Sequence, residues 1–271
     1  MPELTRLAVF GGIYSNHLAL RAALEDVRRR GAEAVYCLGD LGAFGPHPDR
    51  VFPLLRGHRV QCIQGNYDNS IARGLADCQC GYTDPRDNHF ARLSYQYTFA
   101  NTSPAHRAWM GELPQQLRLR LGRYRLLLCH GSPRKMNEFL WESTTPPHFL
   151  NYLAEAYDAD VILATHTGIK WHRRLTPEGR GTGEAVDRHF VNVGVLGRPE
   201  NDGRTNVWYA LLEARPDFRV EFVPVAYDHQ QLAAEMRAER LPEEFVDTIL
   251  TGWWTTCLEI LPAKERRRGK F

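Results

Sequence analysis

Apolar runs and helical patterns alternate along the first part of this chain. The short apolar runs predict three buried strands, over residues 6–10, 34–38 and 60–63. Apolar residues at helical spacing predict a helix that begins at Ser15 or Asn16 and a shorter helix over residues 49–55. A strand–helix–strand–helix–strand order is typical of a parallel sheet with right-handed crossovers, so we expect an α/β fold.

The pattern changes twice in the rest of the chain. Residues from about 75 to 115 are polar with scattered aromatic residues, which predicts a helical insertion over the rim of the sheet. Further strands are predicted up to residue 225, and amphipathic helices follow on either side of Leu241-Pro242. We therefore expect one domain over residues 1–225, with a helical C-terminal extension over residues 226–271 that packs on it.

Polar side chains follow several of the predicted strands, at the point where each strand ends. Four of them combine oxygen and nitrogen donors: Asp40, Asn66, His130 and His166. Open α/β sheets bind ligands outside the carboxyl ends of their strands. Two neutral imidazoles, a carboxylate and an amide oxygen suit a borderline divalent ion, so the pattern predicts a site for Mn²⁺, Zn²⁺ or Fe²⁺.

Each of these residues also has a structural interpretation. Asp40 is equally well explained as a turn or helix-capping residue, and Asn66 as an ordinary turn residue. A histidine that closes an apolar run is more often a hydrogen-bonded core residue, which applies to His130 and His166. It is their combination along an α/β chain that favours a metal site.

Composition excludes little. The 34 basic and 32 acidic residues give a net charge of +2, which argues neither for nor against a polyanionic partner. Three arginines at 266–268 are interpreted as a solvated tail. The six cysteines are scattered without a C-x-x-C pair, and the N-terminus has no apolar targeting segment. We expect a cytoplasmic protein with reduced cysteines and no membrane span.

Five sequence blocks together resemble the calcineurin-like metallophosphoesterase superfamily, in its small bacterial branch. They are Leu38-Gly39-Asp40-Leu41 with Gly45-Pro46, Gly65-Asn66-Tyr67-Asp68, His130-Gly131-Ser132-Pro133-Arg134 with Asn137-Glu138-Phe139-Leu140, Thr165-His166-Thr167-Gly168, and residues 191–199. The resemblance covers nearly the whole chain. It implies a four-layer α/β/β/α sandwich of two mixed sheets, and a two-metal hydrolase of phosphomonoesters or phosphodiesters.

The departures from the family pattern fall on one half of the site. Where the family has the Asp and His of its first block, this chain has Gly12 and Tyr14, and Gly168 replaces a third first-metal histidine. Tyr67 replaces the histidine that contacts substrate and serves as general acid. The resemblance thus implies that the first metal is lost while the second-metal set (Asp40, Asn66, His130 and His166) is retained, so we expect one divalent ion per chain, or none if these residues are remnants.

Two functions follow from this half-site. One is a phosphoric ester hydrolase whose two-metal activity is weak or absent, in which Asp40, Asn66, Tyr67 and Arg134 act in catalysis and the last three contact substrate. The other is a catalytically degenerate protein that binds a phosphate-bearing ligand or a partner protein. Tyr14 and Tyr67 either reach the site or only fill the vacated metal pocket, and Arg134 either binds phosphate or forms a surface salt bridge.

Two further expectations concern the surroundings of the site. His17, His47 and His172 are candidate replacement ligands. The insertion is expected to line the substrate pocket with an aromatic wall, made of Tyr82, His89, Tyr95, Tyr97 and Trp109. The expected partner is a phosphate-bearing small molecule or a nucleotide, with no nucleic acid and no membrane; the pattern does not determine the oligomeric state.

Overall fold

The computed structural model of the protein describes residues 4–175, 187–267 and 269. Arg268 of the predicted basic tail lies outside them. The strands within these ranges are β1 (Arg6–Phe10), β2 (Ala34–Cys37), β3 (Gln61–Cys62), β4 (Leu117–Leu121), β5 (Tyr124–Leu128), β6 (Val161–Ala164), β7 (Lys170–Leu175), β8 (Arg188–Val193), β9 (Val207–Glu213) and β10 (Arg219–Val225). The helices are α1 (His17–Arg29), α2 (Val51–Gly57), α3 (Asn66–Arg73), α4 (Pro85–Asn101), α5 (Pro104–Glu112), α6 (Pro147–Ala156), α7 (His229–Ala238), α8 (Glu243–Thr251) and α9 (Ala263–Arg266).

The strands form two mixed five-stranded sheets, with the orders β10-β9-β1-β2-β3 and β4-β5-β6-β8-β7. In the first sheet, β1, β2 and β3 run parallel, as the alternating pattern predicts, and β9 and β10 add antiparallel neighbours. In the second sheet, β5, β6 and β8 run parallel between antiparallel edge strands. The predicted α/β fold is confirmed.

The two sheets pack face to face, with helices on both outer faces. Leu7 and Val9 of the first sheet share one apolar cluster with Leu126 and Leu128 of the second. Helix α1 packs on the outer face of the first sheet, and α6 on that of the second. The four-layer sandwich that the family resemblance implies is therefore present, and the parallel strands of both sheets bring their carboxyl ends to a common edge.

The insertion and the extension are helical, as the sequence pattern indicates. Helices α4 and α5 occupy most of residues 75–115. Helices α7 and α8 lie on either side of Leu241-Pro242 and share an apolar cluster with Phe90 of α4. The last strand ends at Val225, but whether residues 226–271 are a separate unit stays a prediction.

The cysteines only partly follow the sequence interpretation. Cys37, Cys62, Cys129 and Cys257 are free and buried. Cys78 and Cys80, in contrast, form a disulfide across a single intervening residue, so the expectation of reduced cysteines is wrong for this pair. The pair lies a few residues before α4, and both cysteines contact the Asn66 side chain. The spacing of the cysteines in the sequence did not predict this pairing. No helix in the described ranges is long and apolar enough to cross a membrane.

The Asn16 side chain caps the start of α1 and also binds the loop that follows β8. Its Oδ1 accepts from the backbone amide of Ala19 at 2.9 Å, which makes it the N-cap. Its Nδ2 donates to the backbone carbonyl of Gly197 at 2.9 Å, and the whole side chain is buried. Asn16 therefore ties the loop before α1 to the loop after β8.

We expect Asn16→Ala to lower the free energy of unfolding by about 2 kcal/mol, because a helix cap is lost and the buried Gly197 carbonyl loses its donor. Urea unfolding followed by circular dichroism measures this. Asp228→Ala is the matched control, since Asp228 caps α7 on the exposed surface and makes only the capping bond. It should cost about 1 kcal/mol. Equal costs would show that the bond to Gly197 contributes nothing.

Candidate metal centre

Four loops at the common edge of the sheets bring the predicted ligands together. Asp40 follows β2, Asn66 follows β3, His130 follows β5 and His166 follows β6. Asp40, His130 and His166 are all buried, and one potential ligand atom of each lies within 4.8 Å of the other two. The sequence blocks predicted this juxtaposition, and the structure confirms that these side chains meet.

Backbone carbonyls orient both imidazoles. His130 Nδ1 lies 2.6 Å from the carbonyl oxygen of Leu38, and His166 Nε2 lies 3.2 Å from that of Cys80. Each of these nitrogens therefore carries the proton and donates it. The other nitrogens, His130 Nε2 and His166 Nδ1, lie 3.2 Å apart, and His130 Nε2 is 3.3 Å from Asp40 Oδ2. Two lone pairs and a carboxylate thus converge on one buried point, which requires a proton or a cation between them.

The electrostatics of the cluster show where that proton lies when no cation is bound. Burial opposes a charge on His130, but the adjacent Asp40 carboxylate outweighs it and raises the pKa of His130 above its usual value of 6.5. Burial and then the positive charge of His130 lower the pKa of His166 to about 3. His166 is therefore a neutral donor at all ordinary pH values, and His130 holds the proton that a metal ion would displace.

Asn66 supplies a fourth donor atom. Its Nδ2 donates to the Cys78 carbonyl at 2.8 Å and contacts the sulfur of Cys80 at 3.3 Å. With the amide group oriented in this way, Oδ1 is buried and accepts no hydrogen bond from the residues that the structure describes. An unsatisfied amide oxygen in a buried position is energetically costly unless a ligand occupies it.

A second carboxylate, Asp68, holds the Asp40 loop in place. Asp68 accepts from the backbone amides of Asp40 at 2.7 Å, Leu41 at 3.1 Å and Gly65 at 2.8 Å. Asp40 itself has a left-handed backbone with φ of 55°, an unfavourable conformation for a non-glycine residue that these bonds maintain. Burial and the neighbouring charge of Asp40 raise the pKa of Asp68 to about 7. Sequence reasoning missed this role, although the Gly-Asn-Tyr-Asp block contained the residue.

The half of the site that lacks family ligands is filled by protein side chains. The Tyr14 ring lies so close to Gly12 that an added Cβ would be 2.5 Å from its Cε1 atom. A Cβ on Gly168 would be 3.0 Å from the Trp254 ring and 3.4 Å from Nη2 of Arg198. The glycines at the lost ligand positions therefore make room for these larger side chains. Trp254, from the C-terminal extension, and Arg198 had no part in the sequence prediction.

Tyr67 is near the cluster, but its hydroxyl faces elsewhere. Its backbone amide donates to Asp40 Oδ1 at 3.1 Å, while its hydroxyl donates to Ser94 Oγ of α4 at 3.0 Å. The phenol is buried against Tyr95. The Tyr67 hydroxyl is thus engaged away from the cluster, while its backbone amide contacts Asp40. The contact of Tyr67 with substrate stays a prediction, and it would require the bond to Ser94 to break.

Arg134 is also engaged away from the cluster. Its guanidinium pairs with the Glu138 carboxylate at the surface and lies over the ring of Phe149. This is the surface salt bridge that the sequence left open as an alternative. A phosphate contact by Arg134 stays a prediction, and it would require this ion pair to break.

The candidate replacement ligands do not join the cluster. His17 and His47 face Glu235 of α7, at 3.6 Å and 3.9 Å. His172 pairs with His189 at 2.9 Å in the second sheet. In the described part of the chain, the group of ligands close enough to share an ion is the Asp40, His130 and His166 set. The expectation that these three histidines substitute for lost ligands is wrong.

The predicted aromatic wall is dispersed. Tyr95 donates its hydroxyl to the Leu75 carbonyl, Tyr97 donates to Glu239, and Trp109 packs edge-on against Phe52. These contacts belong to the packing of the helical insertion, and His89 is exposed beside Phe90. The helical pattern gave their spacing but not the face of the helices that meets the sheet.

Tyr82 is the member of the predicted wall that lies near the cluster. It stacks on Phe139, whose ring contacts His166 at 4.3 Å between ring centres. Tyr82 also lines a cavity of about 530 Å³ together with Cys80, Arg92 and Asn137. Cys80 lines this cavity and its carbonyl accepts a hydrogen bond from His166, so Cys80 links the cavity to the cluster.

The donor set fits a divalent ion. Two oriented imidazole nitrogens and a carboxylate converge, and Asn66 offers a buried amide oxygen that has no hydrogen-bond partner among the described residues. The two imidazoles donate their other N–H groups to backbone carbonyls. That arrangement of ring nitrogens is characteristic of metal-binding histidines. Mixed nitrogen and oxygen donors suit Zn²⁺, Mn²⁺ or Fe²⁺ and do not by themselves select one.

An Asp–His–His cluster at the strand ends of a two-sheet α/β sandwich is a candidate metal site. Residues 6–216 match the calcineurin-like phosphoesterase superfamily domain, and the chain belongs to that superfamily. The match covers both sheets except for the last strand, β10, and includes all four positions of the predicted ligands.

Individual relatives agree with this assignment. An uncharacterized protein from Methanocaldococcus jannaschii is 24% identical over 252 residues, which are 91% of this chain and 98% of the relative. A crystal structure of a metallophosphoesterase from Sphaerobacter thermophilus is 26% identical, with a TM-score of 0.67 over 92% of this chain and 99% of that one. A hypothetical protein from Pyrococcus horikoshii, 22% identical with a TM-score of 0.75 over 92% and 99% of the two chains, shares the fold.

We expect protein purified without chelator and supplied with Mn²⁺ or Zn²⁺ to hold about one ion per chain, because one set of converging donors is present. Elemental analysis of the protein measures this. His130→Ala should reduce the content at least about tenfold, since removing a ligand of a small donor set has a large effect on affinity. His148→Ala, at an exposed histidine of α6, is the matched control and should keep the full content. Two ions per chain would contradict the loss of the first site.

Metal affinity should depend on pH in a defined direction. Because the pKa of His130 is raised, the metal-free site is already protonated above pH 6.5, and the ion must displace that proton. Affinity should therefore fall about tenfold for each pH unit below that pKa and level off above it. Competition with a chromogenic chelator across this range checks the slope. An affinity that does not change with pH would show that His130 is not a ligand.

Proposed function

We propose that the protein hydrolyses phosphate esters with a single divalent ion held by Asp40, Asn66, His130 and His166. The observation that supports this most directly is the convergence of buried ligand atoms from Asp40, His130 and His166 within 4.8 Å of one another. Membership of the calcineurin-like phosphoesterase superfamily supports the reaction class. The proposed substrate is a phosphate-bearing small molecule or a nucleotide, and we propose no nucleic-acid or membrane partner.

Some residues of the site would bind the ion, and others fix the orientation of those ligands. A bound divalent ion would supply Lewis-acid polarisation of a phosphoryl oxygen and a lowered pKa for water. Asp40 supplies the charge of the donor set, and the Tyr67 amide fixes its carboxylate. The Leu38 and Cys80 carbonyls fix the ring planes of the two histidines. Each donor is therefore pre-positioned by the backbone, which lowers the reorganisation needed when a substrate arrives.

The polar cavity beside Cys80 is the proposed route for the ester group of the substrate. It has a volume of about 530 Å³, enough for a small organic molecule, and is lined by Tyr82, Asn88, Arg92 and Asn137 among others. Since Cys80 both lines the cavity and binds His166 through its carbonyl, a substrate with its phosphoryl group at the cluster would extend past Cys80 into the cavity.

The proposed hydrolysis is slow compared with a two-metal enzyme. The Tyr67 hydroxyl is bonded to Ser94 and does not face the cluster, so Tyr67 does not replace the family's general acid in this conformation. Loss of general acid catalysis alone removes about 10²–10⁴ in rate. Loss of the second Lewis acid adds to this, because charge developing on the phosphoryl oxygens is stabilised less.

A second candidate function is ligand binding without turnover. It is favoured by the packing of Tyr14 against Gly12, which leaves no room at that position for a metal-ligating carboxylate. In that case the retained donors hold an ion that binds phosphate, and the protein acts through the bound ligand. The two candidates share the site and differ in whether an ester bond breaks.

Turnover of bis(p-nitrophenyl) phosphate and of p-nitrophenyl phosphate with added Mn²⁺ tests the choice. We expect a measurable rate in the wild-type protein and a loss of at least about 100-fold in Asp40→Ala, because the charged ligand of the ion is removed. Asp247→Ala, at an exposed carboxylate of α8, should leave the rate unchanged. Tight binding of phosphate with a rate no higher than that of Asp40→Ala would establish the binding function instead.

A further inference from the structure

A second charged group lies beside the proposed metal site, on the half that lacks family ligands. Arg198 is only 6% exposed, and its Nε is buried without a hydrogen-bond partner. Within the described ranges, its guanidinium forms no hydrogen bond and no ion pair. A buried cation without an anion is costly, and proteins normally pair such a charge.

The surroundings of Arg198 hold it rigidly without neutralising it. Its guanidinium carbon lies 3.6 Å from the ring centre of Trp254, 5.1 Å from that of Phe44 and 5.9 Å from that of Tyr14. The Trp254 indole in turn donates to the Pro199 carbonyl at 2.7 Å, so the platform and the arginine loop are tied together. Aromatic faces stabilise a guanidinium and fix its plane, but they leave its hydrogen-bond donors unused.

The loop that carries Arg198 is braced against the lost metal half-site. The amides of Leu196 and Gly197 both donate to the Gly12 carbonyl, at 2.9 Å and 2.8 Å. Gly197 packs so closely that an added Cβ would lie 2.3 Å from the Ile13 carbonyl oxygen. This close approach fixes the position of Arg198 relative to Gly12.

The guanidinium also lies beside the other lost ligand position. Its Nη2 is 3.4 Å from where a Cβ of Gly168 would be, two residues along the chain from His166. Tyr14 is close to both charged residues: its ring centre lies 5.9 Å from the Arg198 guanidinium carbon, and its backbone amide donates to the Asp40 carbonyl at 3.1 Å. The Tyr14 hydroxyl makes no hydrogen bond within the residues that the structure describes. A fixed cation and an uncommitted phenol therefore stand beside the metal donors.

We propose that the Arg198 guanidinium binds a phosphoryl oxygen of the substrate, taking over the electrostatic role of the missing first metal, with the Tyr14 hydroxyl as a second donor. A guanidinium presents a planar set of N–H donors that matches the oxygens of a phosphoryl group, and its charge is permanent. This inference deepens the proposed function and rests on it in one respect, because it takes the ligand to carry a phosphoryl group. Arg198 would bind and orient that group; it exchanges no proton.

Binding of inorganic phosphate to the full-length, Mn²⁺-loaded protein tests the inference without any need for turnover. Titration calorimetry gives the affinity, and elemental analysis gives the metal content of each variant. We expect Arg198→Met to bind phosphate at least tenfold more weakly than wild type with the same metal content. Arg237→Met is the matched control: Arg237 pairs with Glu243 on the exposed surface, and its substitution removes the same positive charge. It should bind phosphate like wild type.

Thermal unfolding supplies a second readout. In phosphate-free buffer, Arg198→Met should be at least as stable as wild type, because an unpaired buried charge is removed. Added phosphate should raise the melting temperature of wild type and not that of Arg198→Met. If Arg198 only packs on Trp254, the methionine variant will be less stable with or without phosphate and its phosphate affinity will be unchanged, which would overturn the inference.

Arg198→Lys decides the matter if the methionine variant does not fold. Lysine keeps the charge but loses the planar fork, so phosphate affinity should fall at least threefold; an unchanged affinity would overturn the proposal. Failure of the proposed function is distinguishable from failure of this inference. Arg198-dependent phosphate binding without ester hydrolysis would reject the proposed function and support this inference. Hydrolysis and phosphate binding that are both unaffected by Arg198→Met would support the proposed function and reject this inference.

Discussion

The structure of the site depends on one electrostatic constraint, the convergence of two imidazole lone pairs and a carboxylate on a single buried point. The Leu38 and Cys80 carbonyls force the protons of both rings to the outer nitrogens, so the inner nitrogens face each other at 3.2 Å. Such an arrangement is stable only when a proton or a cation lies between the donors. The strained backbones of Asp40 and His166, both with positive φ, are the local cost of bringing these atoms together.

The packing of the two sheets positions the loops that carry these donor atoms. Packing of the two sheets through one shared apolar cluster aligns the carboxyl ends of β2 and β3 with those of β5 and β6. Asp68 then fixes the Asp40 loop with three backbone hydrogen bonds, and Asn16 ties the loop before α1 to the loop after β8. The site is thus positioned mainly by backbone contacts, so it would keep its geometry even where individual family side chains have been replaced.

The half-site that lacks family ligands is rebuilt and not empty. The Tyr14 ring covers Gly12, Trp254 reaches Gly168 from the C-terminal extension, and Arg198 lies between these groups. The replacement of ligand residues by glycine makes physical sense in this setting, since a side chain at either position would collide with the new packing. A guanidinium and aromatic rings thus fill this half of the site.

The sequence by itself determined the α/β class, the first three strands, the helical insertion and the set of Asp40, Asn66, His130 and His166. These follow from local signals, because strand periodicity and residues at strand ends are encoded within short segments. Only the tertiary structure decided which neighbouring side chains join or leave the site. The Tyr67 hydroxyl is oriented by Ser94 of α4. Arg134 pairs with Glu138 in its own loop and lies over the ring of Phe149 in α6. Arg198 and Trp254 meet the site through packing of residues distant in sequence, and no periodicity or spacing encodes such a contact.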